Sequence, residues 1–261
     1  RSAQILIFLI ISETFKILIL KKITFFEISK LSILFAITIS LKAFYFLYGL
    51  LLIPLLIIAS KKIGYKKLME KIFVNKSLYL SLVLIITVLI TNFFNTGCFI
   101  YPLLKSCFIN FDWSIQTKVI ESMALHYENW SKAGMTPNFK IDNPSNYVKD
   151  FNWINGWLNR YFFFKVSDFL LGLIFLIGVF LVTFYKKEIV KKSFNKEILF
   201  VYLTIIILLI EWFINHPTLR YGGYSLIAIF IFIPCALLLE RFKNSVALTK
   251  KKTFIILLIG F

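Results

Sequence analysis

Acidic side chains are scarce in this sequence. There are 13 Asp and Glu against 30 Lys and Arg, and charged residues of both signs make up only 16% of the chain. The inventory of metal ligands is thin, with two His and three Cys. His126 is the histidine nearest to Cys98 and Cys107, and no metal-ligand spacing is met, so neither a metal nor a cofactor is expected. The first apolar run lacks the basic n-region and cleavage site of a signal peptide and reads as a membrane span. No internal repeat is visible along the chain, which weighs against the common transporter architectures.

What the chain has instead is apolar surface. Hydrophobic residues make up 59% of it, and Phe alone supplies 30. Soluble domains sit nearer 45–50%. Residues 43–60, 77–104, 169–185 and 221–239 carry no charge at all. About 20 apolar residues cross the hydrocarbon core as a helix. The fold class is therefore read as all-α, a polytopic transmembrane helical bundle of about seven spans, with one larger segment on the outer face. A net charge of +17 could suggest nucleic acid. Here the basic residues cluster in short loops between spans, as in cytoplasmic loops, so no nucleic-acid partner is expected and membrane lipid is.

Lysine placement sets an expected topology. Loops 61–77, 186–197 and 241–252 are basic and are placed in the cytoplasm, with a fourth basic cluster at Lys21, Lys22 and Lys30. Spans then fall near 3–20, 23–41, 43–60, 78–94, 166–185, 198–215 and 224–239, and a further run starts at Thr253. The spans 23–41 and 43–60 meet at Lys42 with almost no loop; a re-entrant pair is the alternative. Three regions result: transmembrane helices over 1–94, an outer aromatic-rich segment over 95–165, and transmembrane helices over 166–261. The chain begins at Arg1 without Met and ends in an apolar run, so it reads as part of a longer protein.

Region 95–165 holds four of the five Trp: Trp113, Trp130, Trp153 and Trp157. They are read either as an interfacial belt or as a platform for an acceptor sugar or polyprenyl chain. Helical spacing covers 112–130, Pro and Asn mark 136–147 as loop, and 147–164 reads as an amphipathic helix on the membrane surface. Cys98 and Cys107 are expected to face an oxidising compartment, where a disulfide can form. Cys235 lies in an apolar run and reads as core.

Charges at membrane depth are site candidates. Glu13 and Lys16, three apart on one helical face, can pair with each other. Asp168 and Glu211 lie near span ends. Lys42 lies at an outer helix junction, where snorkelling is the bland alternative. The hairpin HPTLRYGGY, residues 216–224, places Arg220 on the outer face, against the usual charge bias. Guanidinium binds phosphate in bidentate fashion, so a lipid phosphate would satisfy it, as would Glu211 or a headgroup.

Three stretches resemble the GT-C class of membrane glycosyltransferases. ITISLKAFYFLYGLLLIPLL, residues 37–56, is similar to a Lys-bearing turn followed by an apolar helix with Pro. TNFFNTGCFIYP, residues 91–102, resembles the pattern R-N-x-x-x-T-G-N-P-x-Y-P through Asn92, Thr96, Gly97, Tyr101 and Pro102, with Thr91, Cys98 and Phe99 as departures. Arg220 and Tyr221 match an outer hairpin opening with R-Y. The chain also resembles an uncharacterised group of bacterial membrane proteins with G-C-x-x-Y-P…C-F…W-S, through Gly97, Cys98, Tyr101, Pro102, Cys107, Phe108, Trp113 and Ser114. The resemblance implies sugar transfer from a polyprenyl-phosphate donor to a glycan acceptor at the outer face of the cell inner membrane. Lys42 and Arg220 would hold the donor phosphate. The catalytic carboxylate of the class would lie in a loop before Arg1. A transporter or flippase, or a membrane protein without enzymatic activity, is the alternative.

Overall fold

The computed structural model describes residues 2–19, 24–184, 196–228 and 252. Expectations for Cys235, for 224–239 beyond residue 228, for the run from 253, and for most of loops 186–197 and 241–252 lie outside them. The protein is all-α, with one hairpin of two-residue strands, Met135–Thr136 and Phe139–Lys140. Its helices are α1 Ser2–Ile19, α2 Phe25–Leu41, α3 Leu52–Ile63, α4 Tyr65–Val74, α5 Lys76–Thr96, α6 Thr117–Ser131, α7 Pro144–Val148, α8 Ile154–Trp157, α9 Ser167–Phe184 and α10 Lys196–Asn215.

Among the described residues, four helical stretches are long and apolar enough to cross a membrane: Tyr45–Ile63, Lys76–Thr96, Ile154–Phe184 and Ile198–Asn215. That is fewer than the seven expected. α1 and the 17-residue α2 are helical but are not among the four.

Local chemistry accounts for the helix ends. The Asn75 side chain accepts from the backbone N–H groups of Ser77 and Leu78 and starts α5. Gly97 ends it in the left-handed conformation at φ 79°, where Ser114 leaves no room for a Cβ. Two stretches depart from α geometry. Ala43–Leu51 is a 3₁₀ helix continuous with α3. Three residues per turn stack Tyr45, Tyr48 and Leu51 in one row, and all three are buried. Leu158–Val166 is π-helical and joins α8 to α9 without a break. The wider turn puts Trp157, Tyr161, Phe162 and Val166 against one core.

The main core lies among α1, α2, the 3₁₀ segment, α3 and α10. A second core sits at one end of the bundle. It joins Ala133, Tyr147, Trp153, Trp157, Val166 and Leu219, so residues 117–166 form a cap over that end. The opposite end carries Lys61, Lys62, Lys66, Lys67 and Lys71 on α3 and α4.

Two expectations for the large segment are corrected. Helix α6 begins at Thr117, and 112–116 is turn rather than helix. The pattern over 147–164 is not a separate surface helix. Its second half is the start of the 31-residue helix Ile154–Phe184. At 1.5 Å per residue this helix is about 46 Å long, more than the ~30 Å hydrocarbon core, so its first turns reach into the cap.

Glu13 is shared between α1 and α2. Its carboxylate accepts from Lys16 Nζ at 3.1 Å and from Lys30 Nζ at 3.3 Å. Removing only the acid leaves two unpaired cations on an apolar bundle, which costs more than removing all three charges. Glu13→Gln should destabilise the detergent-solubilised protein by about 0.5–1 kcal/mol, the upper range for solvent-exposed pairs. The triple variant Glu13→Gln/Lys16→Gln/Lys30→Gln should recover most of that loss of melting temperature.

Candidate functional site

The site lies where the cap meets the bundle, on the hairpin that follows α10. The hairpin's position is set through its backbone. Trp157 Nε1 donates to Pro217 O at 2.9 Å, and Trp212 Nε1 donates to Thr218 O at 2.8 Å. Gln4 Nε2 donates to Leu219 O at 3.2 Å and to Arg220 O at 2.6 Å, and Tyr45 Oη donates to Arg220 O at 3.2 Å. Ser131 Oγ lies 3.3 Å from Asn215 O, and Tyr161 Oη accepts from Leu219 N at 2.9 Å. The hairpin ends at Gly222, φ 117°, whose backbone lies against Tyr48 with no space for a side chain.

This clamp presents Arg220 beside Lys42. Lys42 occupies an extended residue between α2 and the 3₁₀ segment. Its Nζ lies 4.4 Å from the centre of the Tyr221 ring and 5.8 Å from that of Tyr45. The Arg220 guanidinium lies 5.0 Å from the same Tyr221 ring centre and 5.9 Å from that of Trp130. Two cations therefore share one aromatic ring. Burial lowers the pKa of Lys42, and the charge of Arg220 lowers it further. The ion pairs among the described residues are Glu13–Lys16, Glu13–Lys30 and Glu128–Lys132, and Arg220 belongs to none of them. Glu211, the expected alternative partner, accepts instead from Asn215 Nδ2 at 3.1 Å. An anion between Lys42 and Arg220 would offset both the burial of Lys42 and the repulsion of like charges.

Behind this pair lies a second polar group. Lys132 is buried, pairs with Glu128, and donates to Val148 O at 3.3 Å. Tyr147 Oη donates to Lys132 O at 2.8 Å, and burial raises the pKa of this phenol. Ser131 Oγ donates to Glu128 O at 2.7 Å and lies 3.2 Å from His216 Nδ1. With the Ser131 proton directed to Glu128 O, His216 Nδ1 acts as the donor to Ser131. Burial pushes the pKa of His216 down to about 4, with Lys132 and Lys42 acting in the same direction and Glu128 opposing. The imidazole is therefore neutral at neutral pH.

The residues expected from sequence divide into two groups. Lys42, Arg220, Tyr221 and Trp130 come together here. Asn92, Gly97, Tyr101 and Pro102 belong to the loop after α5, where they are structural: Asn92 Nδ2 donates to Phe99 O at 3.3 Å, and the Tyr101–Pro102 peptide is cis. Cys98 and Cys107 are joined as a disulfide in that loop. The four tryptophans do not form a single platform. Trp113 is exposed in the same loop, 4.4 Å from the Phe111 ring. Trp153 and Trp157 are 1% and 4% exposed and form the cap's core around Phe213, so they cannot face an acceptor. Gln4, Ser131 and Tyr161 were not singled out from sequence. For Gln4 a signal existed: it is a polar amide near the start of an otherwise apolar run.

His216 generates a pH prediction. The unfolded state takes up its proton near pH 6.5 and the folded state only near 4. Folded stability is thus complete above the higher value and is lost as pH falls between the two. Melting temperature should fall through that window, and His216→Gln should flatten the fall.

No curated protein and no solved structure matches the chain. Residues 2–227 match the family described as a domain of unknown function, DUF8201, and the chain belongs to that family.

Proposed function

We propose that the protein is a membrane glycosyltransferase of GT-C type, and that Lys42 and Arg220 hold the phosphate of a polyprenyl-phosphate sugar donor. The observation that carries this reading is the convergence of the two cations on the Tyr221 ring. A lysine supplies a compact charge and an arginine a planar fork, a combination suited to phosphate. They stand at the bundle end, at the junction with the cap, where a lipid headgroup can reach them while its chain stays along the helices. The clamped backbone under Arg220 adds preorganisation, so stabilising a leaving phosphate needs little rearrangement.

On this reading the cap faces the outer side of the inner membrane and the lysine-rich end faces the cytoplasm. α1, α2 and the apolar runs outside the described residues complete about seven spans. Trp130, beside Arg220, is the one tryptophan placed to contact the sugar or its acceptor. Glu128 and Glu211 are engaged by Lys132 and Asn215, so neither is assigned as catalytic base.

A flippase for the same lipid is the second reading. The 3₁₀ segment Ala43–Leu51 directly after Lys42 favours it, because interrupted helices line transport sites. The position of the cations at the bundle end, away from its middle, favours the transferase.

Binding tests the shared phosphate step. A photoreactive polyprenyl phosphate should label the reconstituted protein, and the matching polyprenol should not. Arg220→Ala and Lys42→Ala should each weaken labelling about 10- to 100-fold, the range for losing a charge-assisted hydrogen bond. Undiminished labelling of both variants would sink the phosphate role. Sugar transfer without movement of the lipid between leaflets separates the transferase from the flippase.

A further inference from the structure

We infer that the disulfide loop after α5 is a membrane anchor, seated in the bilayer leaflet on the cap side. The loop is built around Phe93, whose ring lies within 5.2–6.2 Å of those of Phe94, Phe99, Phe108, Phe111 and Trp113. The outer surface of this cluster is apolar. Phe94 is 64% exposed, Leu103 51%, Phe108 50% and Ile109 51%. Lys105 and Asp112 are the only charges between Gly97 and Ile115. Contiguous exposed apolar surface of this kind marks contact with a membrane or a partner.

Two observations select the membrane. First, the loop continues the apolar surface of α5: one side of this helix packs on α2, while Leu80, Leu82, Val83, Ile86 and Ile90 are exposed and face hydrocarbon if the helix crosses a bilayer. The uncharged stretch 77–104 runs from the helix into the loop without interruption. Second, over residues 97–108 the loop pairs much of its backbone within itself, which lowers the cost of non-helical chain near membrane depth. Phe99 N donates to Ser106 O at 3.1 Å, and Phe108 N donates to Gly97 O at 2.8 Å. Leu103, Ser106 and Cys107 close successive turns through their N–H groups. Ser106 Oγ lies 2.9 Å from Ile100 O and accepts from Ile100 N at 3.1 Å. Asn92 and Thr96 reach from α5 to Phe99 O and Cys98 O. The Cys98–Cys107 bond then holds the apolar side chains on one side of a compact knob.

The anchor also fixes the cap. Ile115 N donates to Thr96 O at 3.1 Å, and α6 starts directly after, ending at Trp130 and Ser131 beside the cation pair. The cap is thus held at two points: the knob on α5 and the hairpin after α10.

The inference rests on the apolar helices crossing a bilayer, and the experiment separates the two ideas. Nitroxide labels are placed singly at Ile109→Cys, Leu103→Cys, Ile86→Cys on α5, and Lys140→Cys on the cap hairpin, in a Cys235→Ser background. The protein is reconstituted in phospholipid vesicles. Collision with oxygen is compared with collision with a water-soluble nickel chelate. The oxygen-to-nickel ratio should be several-fold higher at Ile109 and Leu103 than at Lys140, and near that at Ile86. A high ratio at Ile86 with Lys140-like ratios at Ile109 and Leu103 overturns the anchor alone. Low collision with both agents at Ile109 and Leu103 overturns it in favour of a protein partner. A Lys140-like ratio at Ile86 overturns both the anchor and the membrane crossing of α5.

Discussion

Each backbone carbonyl from His216 to Arg220 has a donor, and for four of the five that donor includes a side chain from outside the hairpin's own turn. The donors come from α1, the 3₁₀ segment, α8 and α10. Backbone acceptors at the end of an apolar bundle are costly to leave unpaired, so these side chains are required there. Removing Trp157 leaves Pro217 O without its donor and loosens the cap from the hairpin, whereas the carbonyls of Thr218, Leu219 and Arg220 each keep a second donor when one is lost. The hairpin is therefore where the bundle core and the cap core meet. Leu219 belongs to the cap core, and Trp212, at the end of α10, belongs to the bundle core.

The departures from α geometry follow from the same requirement. Tyr45 must reach Arg220 O, and Tyr48 must pack on Gly222, while Leu51 points into the same core. A spacing of three residues meets all of these only if the turn is 3₁₀. On the opposite side Trp157 and Tyr161 reach Pro217 and Leu219 while Val166 remains buried, and the π turn supplies that register. Both helices are distorted where they touch the hairpin and regular beyond it.

This explains which features were legible in the sequence. The spans 78–94 and 198–215 correspond to Lys76–Thr96 and Ile198–Asn215, because long uncharged runs flanked by polar residues have few other solutions in a helical protein. Lys42 and Arg220 stood out because a cation amid apolar residues needs a structural reason. Trp153 and Trp157 did not disclose their places, since an interfacial belt and a buried core use the same residue types. The 147–164 pattern hid its continuity with α9 because amphipathic and apolar stretches share one helical period, and no Pro or Gly divides them after Gly156. The clamp itself was the least visible part. Gln4 and Arg220 are 216 residues apart, and only folding brings them together.

Rigidity gives the cation pair its chemical meaning. A lysine and an arginine on flexible loops would move apart and take up water, and their repulsion would vanish into solvent. Here Lys42 is half-buried at the end of α2, and the Arg220 backbone is fixed by Gln4 and Tyr45. Both charges lie against the Tyr221 ring, and Arg220 Nη2 also donates to the Tyr221 hydroxyl at 3.3 Å. The two like charges are thus kept close in the folded state, and the charge of Arg220 adds to burial in lowering the pKa of Lys42. The proposed phosphate role depends in this way on how the hairpin is held, and it weakens with any change that frees the backbone beneath Arg220.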